Sequence, residues 1–266
     1  MPNSPHTFDT MRLEQKSTVA VVTLARPDAM NAMNQQFFTD FQSIIQILSD
    51  DNNTARALLI MAEGKGFCTG ADLKDQAGEM PPNLGKTLRD NYNPLIIGLK
   101  KLPMPTIVAV DGAVAGAGFS LVCACDLAIA SPKAYFLQAF INIALIPDAG
   151  STYFLPRLVG RARAASLMML GERLLAEQAL EYGVISHIIP QDTLKDEAIS
   201  LATKLASMPT KSLITIRNLL DQSEVNSLEE QLEVEAKAQQ IAGHSADFIE
   251  GVTAFMRKRP PIFQGK

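Results

Sequence analysis

Apolar residues fall along this chain in two rhythms. VAVVTLA at 19–25, ALLIMA at 57–62, TIVAVDG at 106–112 and LAIA at 127–130 are short, nearly continuous runs closed by polar turns, the pattern of strands buried on both faces. Between the first two, Phe37, Phe38, Phe41, Ile44, Ile45 and Leu48 recur at helical spacing, which places them on one stripe of a helix. A glycine-interrupted stretch follows the third run and opens another helix. Strand then helix, repeated, predicts an α/β core for residues 1–190. After about residue 190 the β-branched runs stop. Segments 192–207, 210–222, 227–243 and 245–258 read as successive helices separated by Met208-Pro209 and by Ser223 to Ser227, so 191–266 is expected to form a helical module.

The 266 residues suffice for one large domain with a small appendage. With 47% hydrophobic and 20% charged residues, the chain leans slightly apolar, which suits a subunit that buries surface against copies of itself. A net charge of −4 provides no basic field for nucleic acid or an anionic membrane; an anionic ligand must be held by local groups. MPNSPHTFDT lacks the features of a secretory signal, and no apolar run is long enough to span a bilayer, so the expected location is the cytoplasm. Cys68, Cys123 and Cys125 show no metal-type spacing, and they read as reduced core thiols rather than zinc ligands.

Two glycine-rich stretches carry possible chemistry. GKGFCTGADLKD, 64–75, follows a predicted strand, and in DGAVAGAGFSLVCACD, 111–126, Gly116-Ala117-Gly118 opens a helix. The first amides of a helix have no internal partner, and glycines let a ligand approach the backbone. Each stretch alone is as well explained by tight packing. Together, two amides from separate loops aimed at one oxygen would form an oxyanion hole without any side chain, of the sort that serves a thioester enolate. Asp148, in ALIPDAGSTYF, is the only charged residue between Lys133 and Arg157. It is either a turn or N-cap residue, for P-D-A-G is a good turn, or a functional carboxylate.

RPDAMNAMN at 26–34, GFCTGADLKD at 66–75, DGAVAGAGFSLVCACDLAIAS at 111–131, IPDAGSTYFLPRLVG at 146–160 and EGVTAFMRKRPPIF at 250–263 together resemble the enoyl-CoA hydratase/isomerase (crotonase) superfamily over nearly the whole chain. FLQAFINIALIPDAG and LPRLVGRARA are similar to the ring-1,2-epoxyphenylacetyl-CoA isomerase branch of bacterial phenylacetate breakdown. The resemblance implies an α/β fold with a spiral ββα core and a C-terminal helical module that builds homotrimers, often paired into hexamers. It implies oxyanion donors at the amides of Ala71 and Ala117. It also implies coenzyme A binding along Arg26 to Ala29 and along Phe67 to Leu73, with Phe255 and Lys258 supplied by a neighbouring subunit. No separate cofactor is expected, because the substrate arrives as a coenzyme A thioester.

Hydratases of the superfamily use two glutamates to activate water. By this resemblance their positions fall on Ser120 and Phe140, neither of which can act as a carboxylate base. Asp148 falls where hydratases often have glycine and several isomerases have the acid that carries the proton. A single base suffices for a 1,3-proton shift, and the apolar Phe136, Phe140, Ile146 and Tyr153 are expected to desolvate it and strengthen it. The expected activity is therefore acyl-CoA isomerisation, of a double bond or a ring epoxide; the alternatives are a hydratase using Asp148 alone and a coenzyme A-binding scaffold without turnover. Asp126 reads as a structural core acid. Asp72 reads as fixing the loop of Ala71 or touching coenzyme A. Cys68 lacks an activating histidine, and His6, His187 and His244 match no motif and read as surface or structural residues. The polar segment 75–92 is expected to be a flap over the acyl pocket.

Overall fold

The computed structural model describes residues 6–74 and 82–266. Its strands, in chain order, are β1 (His6–Thr7), β2 (Met11–Lys16), β3 (Val19–Leu24), β4 (Ala57–Ala62), β5 (Gly66–Cys68), β6 (Thr106–Val110), β7 (Ala113–Ala115), β8 (Leu127–Ala130), β9 (Tyr135–Leu137), β10 (Arg173–Leu175) and β11 (His187–Ile188). A seven-stranded sheet runs β1-β2-β3-β4-β6-β8-β11, antiparallel up to β3 and parallel beyond it. A four-stranded sheet runs β10-β9-β7-β5, with β10 antiparallel to the rest.

The strand predicted over 106–112 is β6, and the glycine-interrupted stretch after it holds a further short strand in the other sheet before its helix opens. β6 ends at Val110; after Asp111-Gly112 the chain enters β7 of the smaller sheet. An apolar run interrupted by one Asp-Gly pair looks continuous in a list of residues, yet the positive φ of 81° at Gly112 turns the chain out of the first sheet.

The helices are α1 (Gln35–Ser49), α2 (Leu84–Thr87), α3 (Asn93–Lys101), α4 (Ala117–Ala124), α5 (Ser151–Val159), α6 (Arg161–Leu170), α7 (Ala176–Tyr182), α8 (Leu194–Ser207), α9 (Thr210–Ser223), α10 (Leu228–Ala242) and α11 (Ala246–Met256). Side-chain caps fix several starts: Asn34 accepts from the Phe37 amide, Ser245 from the Phe248 amide, and Ser227 forms a reciprocal capping box with Glu230. Every residue of α4 is buried, as a helix apolar on all sides requires.

Side-chain alternation divides the large sheet. Ala20, Val22, Leu24, Leu58 and Ile60 enter the main core with Phe37, Phe41 and α4. Val19, Val21, Ala57, Leu59, Ile107, Ala109 and Ile129 point the other way, where Leu194, Ala198, Ala202 and Ala206 of α8 cover them. Those four recur every fourth residue on one stripe, and its three alanines let α8 lie close to the sheet. Thus α8, grouped with the C-terminal helices by its sequence texture, is a layer of the sheet structure. Farther on, Arg217 of α9 is 8% exposed and donates to Leu102 O at 2.6 Å, Met104 O at 3.2 Å and Asp126 Oδ2 at 3.3 Å. Asp126 also accepts from the Thr106 amide at 2.8 Å, in keeping with a structural acid. Among the described residues no helix is long and apolar enough to cross a membrane.

Candidate active site

The two glycine-rich stretches meet. A Cβ added to Gly70, whose φ is +83°, would lie 2.9 Å from Ala115 O and 3.1 Å from the Ala117 amide nitrogen. One added to Gly118 would lie 2.3 Å from Cys68 O. Both glycines are thus required for the loop after β5 to press against the start of α4. The loop itself is pinned by main-chain bonds from Met33 N to Gly70 O at 2.7 Å and from Asp72 N to Met33 O at 3.0 Å. Gly116 N donates to Leu137 O at 3.0 Å. This bonding bypasses the amides of Ala71 and Ala117, and Ala117, as the first residue of α4, has no partner within its helix.

Asp148 precedes two residues of positive φ, Ala149 at 49° and Gly150 at 80°, which turn the chain into α5. Its carbonyl accepts twice, from the Ser151 amide at 2.9 Å and from Ser120 Oγ at 2.9 Å. Ser120, one of the two positions matched to hydratase glutamates, therefore holds the backbone of the acid. The N-cap reading of Asp148 fails: Gly150 occupies the cap with no side-chain bond, and Asp148 Oδ1 is buried without a partner. Burial moves its pKa from 3.8 to about 6, since water that would solvate the charge is excluded.

Ala71, Ala117 and Asp148 line one cavity of about 610 Å³. Leu73, Leu88, Phe140 and Ile143 supply much of its apolar wall. Leu73 and Ile146 are 56% and 82% exposed, an apolar rim of the kind that receives a largely hydrocarbon ligand. Unpaired amides and a basic carboxylate on the wall of such a cavity can stabilise an oxyanion and transfer a proton.

Other expected residues stand as follows. Arg26 and Asp72 bind each other at 2.9 Å, and Arg26 also donates to Ala32 O at 2.5 Å, so the pair clamps the loop of 26–34 to that of Ala71. Ala29 ends a short 3₁₀ turn and is partly exposed. Phe67 is 0% exposed in the core, which leaves only its main chain to face a ligand. Phe255, 84% exposed, borders a different groove with Phe248 and Phe263, and Lys258 lies exposed just beyond α11. Cys68 is buried, and its thiol is pushed up to about 12 by that burial, which suppresses thiolate chemistry. His6, His187 and His244 are exposed.

Two expectations about the surroundings of Asp148 are corrected. Phe136 points into the core against Phe119, because strand parity turns it away from the cavity. Tyr153 lies on α5 over Arg157 and lines another groove. Of the segment 75–92 expected as a flap, 75–81 lie outside the described residues. Its remainder is helical, α2 running into a π-turn at Leu88–Tyr92, and Leu84, Leu88 and Tyr92 line the cavity. Sequence reasoning missed them; their four-residue spacing within a polar stretch was the available signal.

The two mixed, largely parallel sheets, the paired glycine loops and the apolar cavity between them and Asp148 define a class. A family model described as enoyl-CoA hydratase/isomerase matches residues 14–266, and the chain belongs to that family. Among individual relatives, it is 43% identical over 251 residues to the 1,2-epoxyphenylacetyl-CoA isomerase of Escherichia coli (strain K12), covering 93% of this chain and 95% of that one. It is 39% identical over 259 residues to a probable enoyl-CoA hydratase of Rhodobacter capsulatus, covering 97% and 99%. A solved enoyl-CoA hydratase/isomerase structure from Mycobacterium abscessus, described as putative, superposes with a TM-score of 0.92 at 34% identity, over 96% of this chain and 100% of that one.

Proposed function

We propose that the protein is an acyl-CoA isomerase in which Asp148 carries a proton between two carbons of the acyl group while the amides of Ala71 and Ala117 hold the thioester oxygen. Asp148 takes the proton from one carbon, and the electron pair moves onto the thioester oxygen as an enolate. Collapse of the enolate returns the proton two carbons away. One base completes the cycle, since nothing is added to the substrate. The observation that carries the reading is the juxtaposition on one cavity of a desolvated carboxylate with one unpartnered oxygen and two main-chain amides left out of the surrounding hydrogen bonds of the described residues, with serine and phenylalanine at the positions matched to the glutamates of hydratases.

In this reading the substrate is carried as a coenzyme A thioester, with no further cofactor. Coenzyme A lies along Arg26 to Ala29 and Phe67 to Leu73. A partner copy in a homotrimer, or in a dimer of trimers, contributes Phe255 and Lys258 from the helical module, and the enzyme works in the cytoplasm in the breakdown of fatty or aromatic acids. The test is turnover of 3-enoyl-CoA and ring-epoxide CoA thioesters beside crotonyl-CoA, with Asp148→Asn in parallel. Isomerisation by the native protein should fall by about 10²–10⁴ in the variant while acyl-CoA still binds; undiminished turnover would sink the assignment. Loss of the conjugated thioester absorbance of crotonyl-CoA without isomerisation would establish the hydratase reading instead.

A further inference from the structure

Tyr92 lies at the end of the π-turn that joins α2 to α3. Single π-turns in otherwise α-helical segments commonly re-aim a side chain at a functional site. Here the ring is 4% exposed and held edge-on against Phe38, with centroids 4.5 Å apart. Tyr92 lines the same cavity as Asp148, and its hydroxyl is buried without a partner. Asp148 Oδ1 is also unpartnered, so the two groups do not satisfy each other and both are left to the occupant. A buried phenol normally has a partner, because leaving it unpaired forfeits a hydrogen bond.

The chemistry of the hydroxyl narrows what that partner is. Burial, and then the neighbouring Asp148 charge, push its pKa above the ordinary phenol range, so it stays protonated and offers a donor. In the proposed function the thioester oxygen is held by the amides of Ala71 and Ala117, and Asp148 takes protons from carbon. A purely hydrocarbon acyl group would leave the Tyr92 donor empty. We infer that Tyr92 is a specificity-determining residue: its hydroxyl pairs with an acceptor oxygen on the acyl group, an ether, epoxide or hydroxyl, and selects oxygen-bearing acyl-CoA thioesters over hydrocarbon ones.

This rests on the cavity being the acyl site, and binding tests it without requiring turnover. Calorimetry compares cyclohexylacetyl-CoA with the isosteric tetrahydropyranylacetyl-CoA isomers, the oxygen placed at each ring position in turn, on the native protein and on Tyr92→Phe. The native protein should bind one ether isomer about three- to tenfold more tightly than the carbocycle, and Tyr92→Phe should bind the two alike. No preference in the native protein, or a preference that survives in Tyr92→Phe, overturns the inference. Because Tyr92→Phe removes a buried hydroxyl that has no partner among the described residues, its thermal midpoint should be no lower than that of the native protein, so lost selectivity reports recognition and not unfolding. A preference that depends on Tyr92 supports the inference even if Asp148→Asn retains isomerase turnover, and that second result falls on the isomerase reading alone.

Discussion

Replacing Asp148 by asparagine should make the protein more stable at neutral pH, and the amount follows from the site. Burial raises the pKa of the carboxyl from 3.8 to about 6, a displacement of about two units, worth about 3 kcal/mol at about 1.4 kcal/mol per unit. In the unfolded chain the group ionises near 3.8 and in the fold near 6. Between those values the native state holds more protons, so stability falls as pH rises, and the penalty is complete above about pH 6. The open cavity mouth makes about 3 kcal/mol an upper limit. The neutral, isosteric asparagine carries no such penalty, so a gain of about 1–3 kcal/mol is expected, equivalent to roughly 2–10 °C in Tm for a chain of this length. Urea unfolding near pH 7.5 and near pH 4.5 measures it: the variant should be the more stable at the higher pH, with the gap mostly closed at the lower. A variant no more stable than the native protein near pH 7.5, or a gap of equal size at both pH values, would refute the desolvation argument.

Four further outcomes follow from the same geometry. On the isomerase reading, in which ionised Asp148 would be the base, kcat/KM should rise with pH and reach half its plateau near pH 6; a pH–rate profile measures this. Gly70→Ala should lower kcat at least tenfold and cost about 1 kcal/mol or more, since its Cβ would part the Ala71 and Ala117 segments at a backbone of φ +83°; kinetics and thermal melts check both. Ser120→Ala removes one of the two bonds to the Asp148 carbonyl and should cost about 1 kcal/mol, with kcat falling while KM holds. Arg217→Ala strands two buried carbonyls and Asp126, and chemical denaturation should show a loss of about 3 kcal/mol.

Much of the fold was legible because its strands are buried on both faces. VAVVTLA and ALLIMA need no partner to declare themselves, since alternate residues go to α8 and to the main core and all but Thr23 are apolar. Asp148 was legible for the opposite reason, as a charge without sequence neighbours to neutralise it. What escaped were relations across the chain. Phe136 and Tyr153 lie near Asp148 in sequence, but strand parity and the direction of α5 carry them elsewhere. Tyr92 is distant in sequence and reaches the cavity only because α3 packs beside α1 and α4. A polar stretch hid it, for LGKTLRDNY turns Leu84, Thr87, Leu88 and Tyr92 inward and leaves its charged residues outside.

The contact between Gly70 and Ala117 has a consequence for how such a protein can change. Point mutation to anything but proline exchanges a side chain and leaves the amide in place, so the half of the site proposed to hold the oxygen is nearly invisible to it, apart from the glycines that let the two segments touch. Positions 120, 140 and 148 are different: each would act through its side chain, and on the proposed reading one substitution there would add or remove a proton carrier. On the proposed reading, the molecule would thus separate a main-chain apparatus for stabilising anions from a small, replaceable set of side chains that decides which bond is remade, and new reactions would be open to it without a new fold.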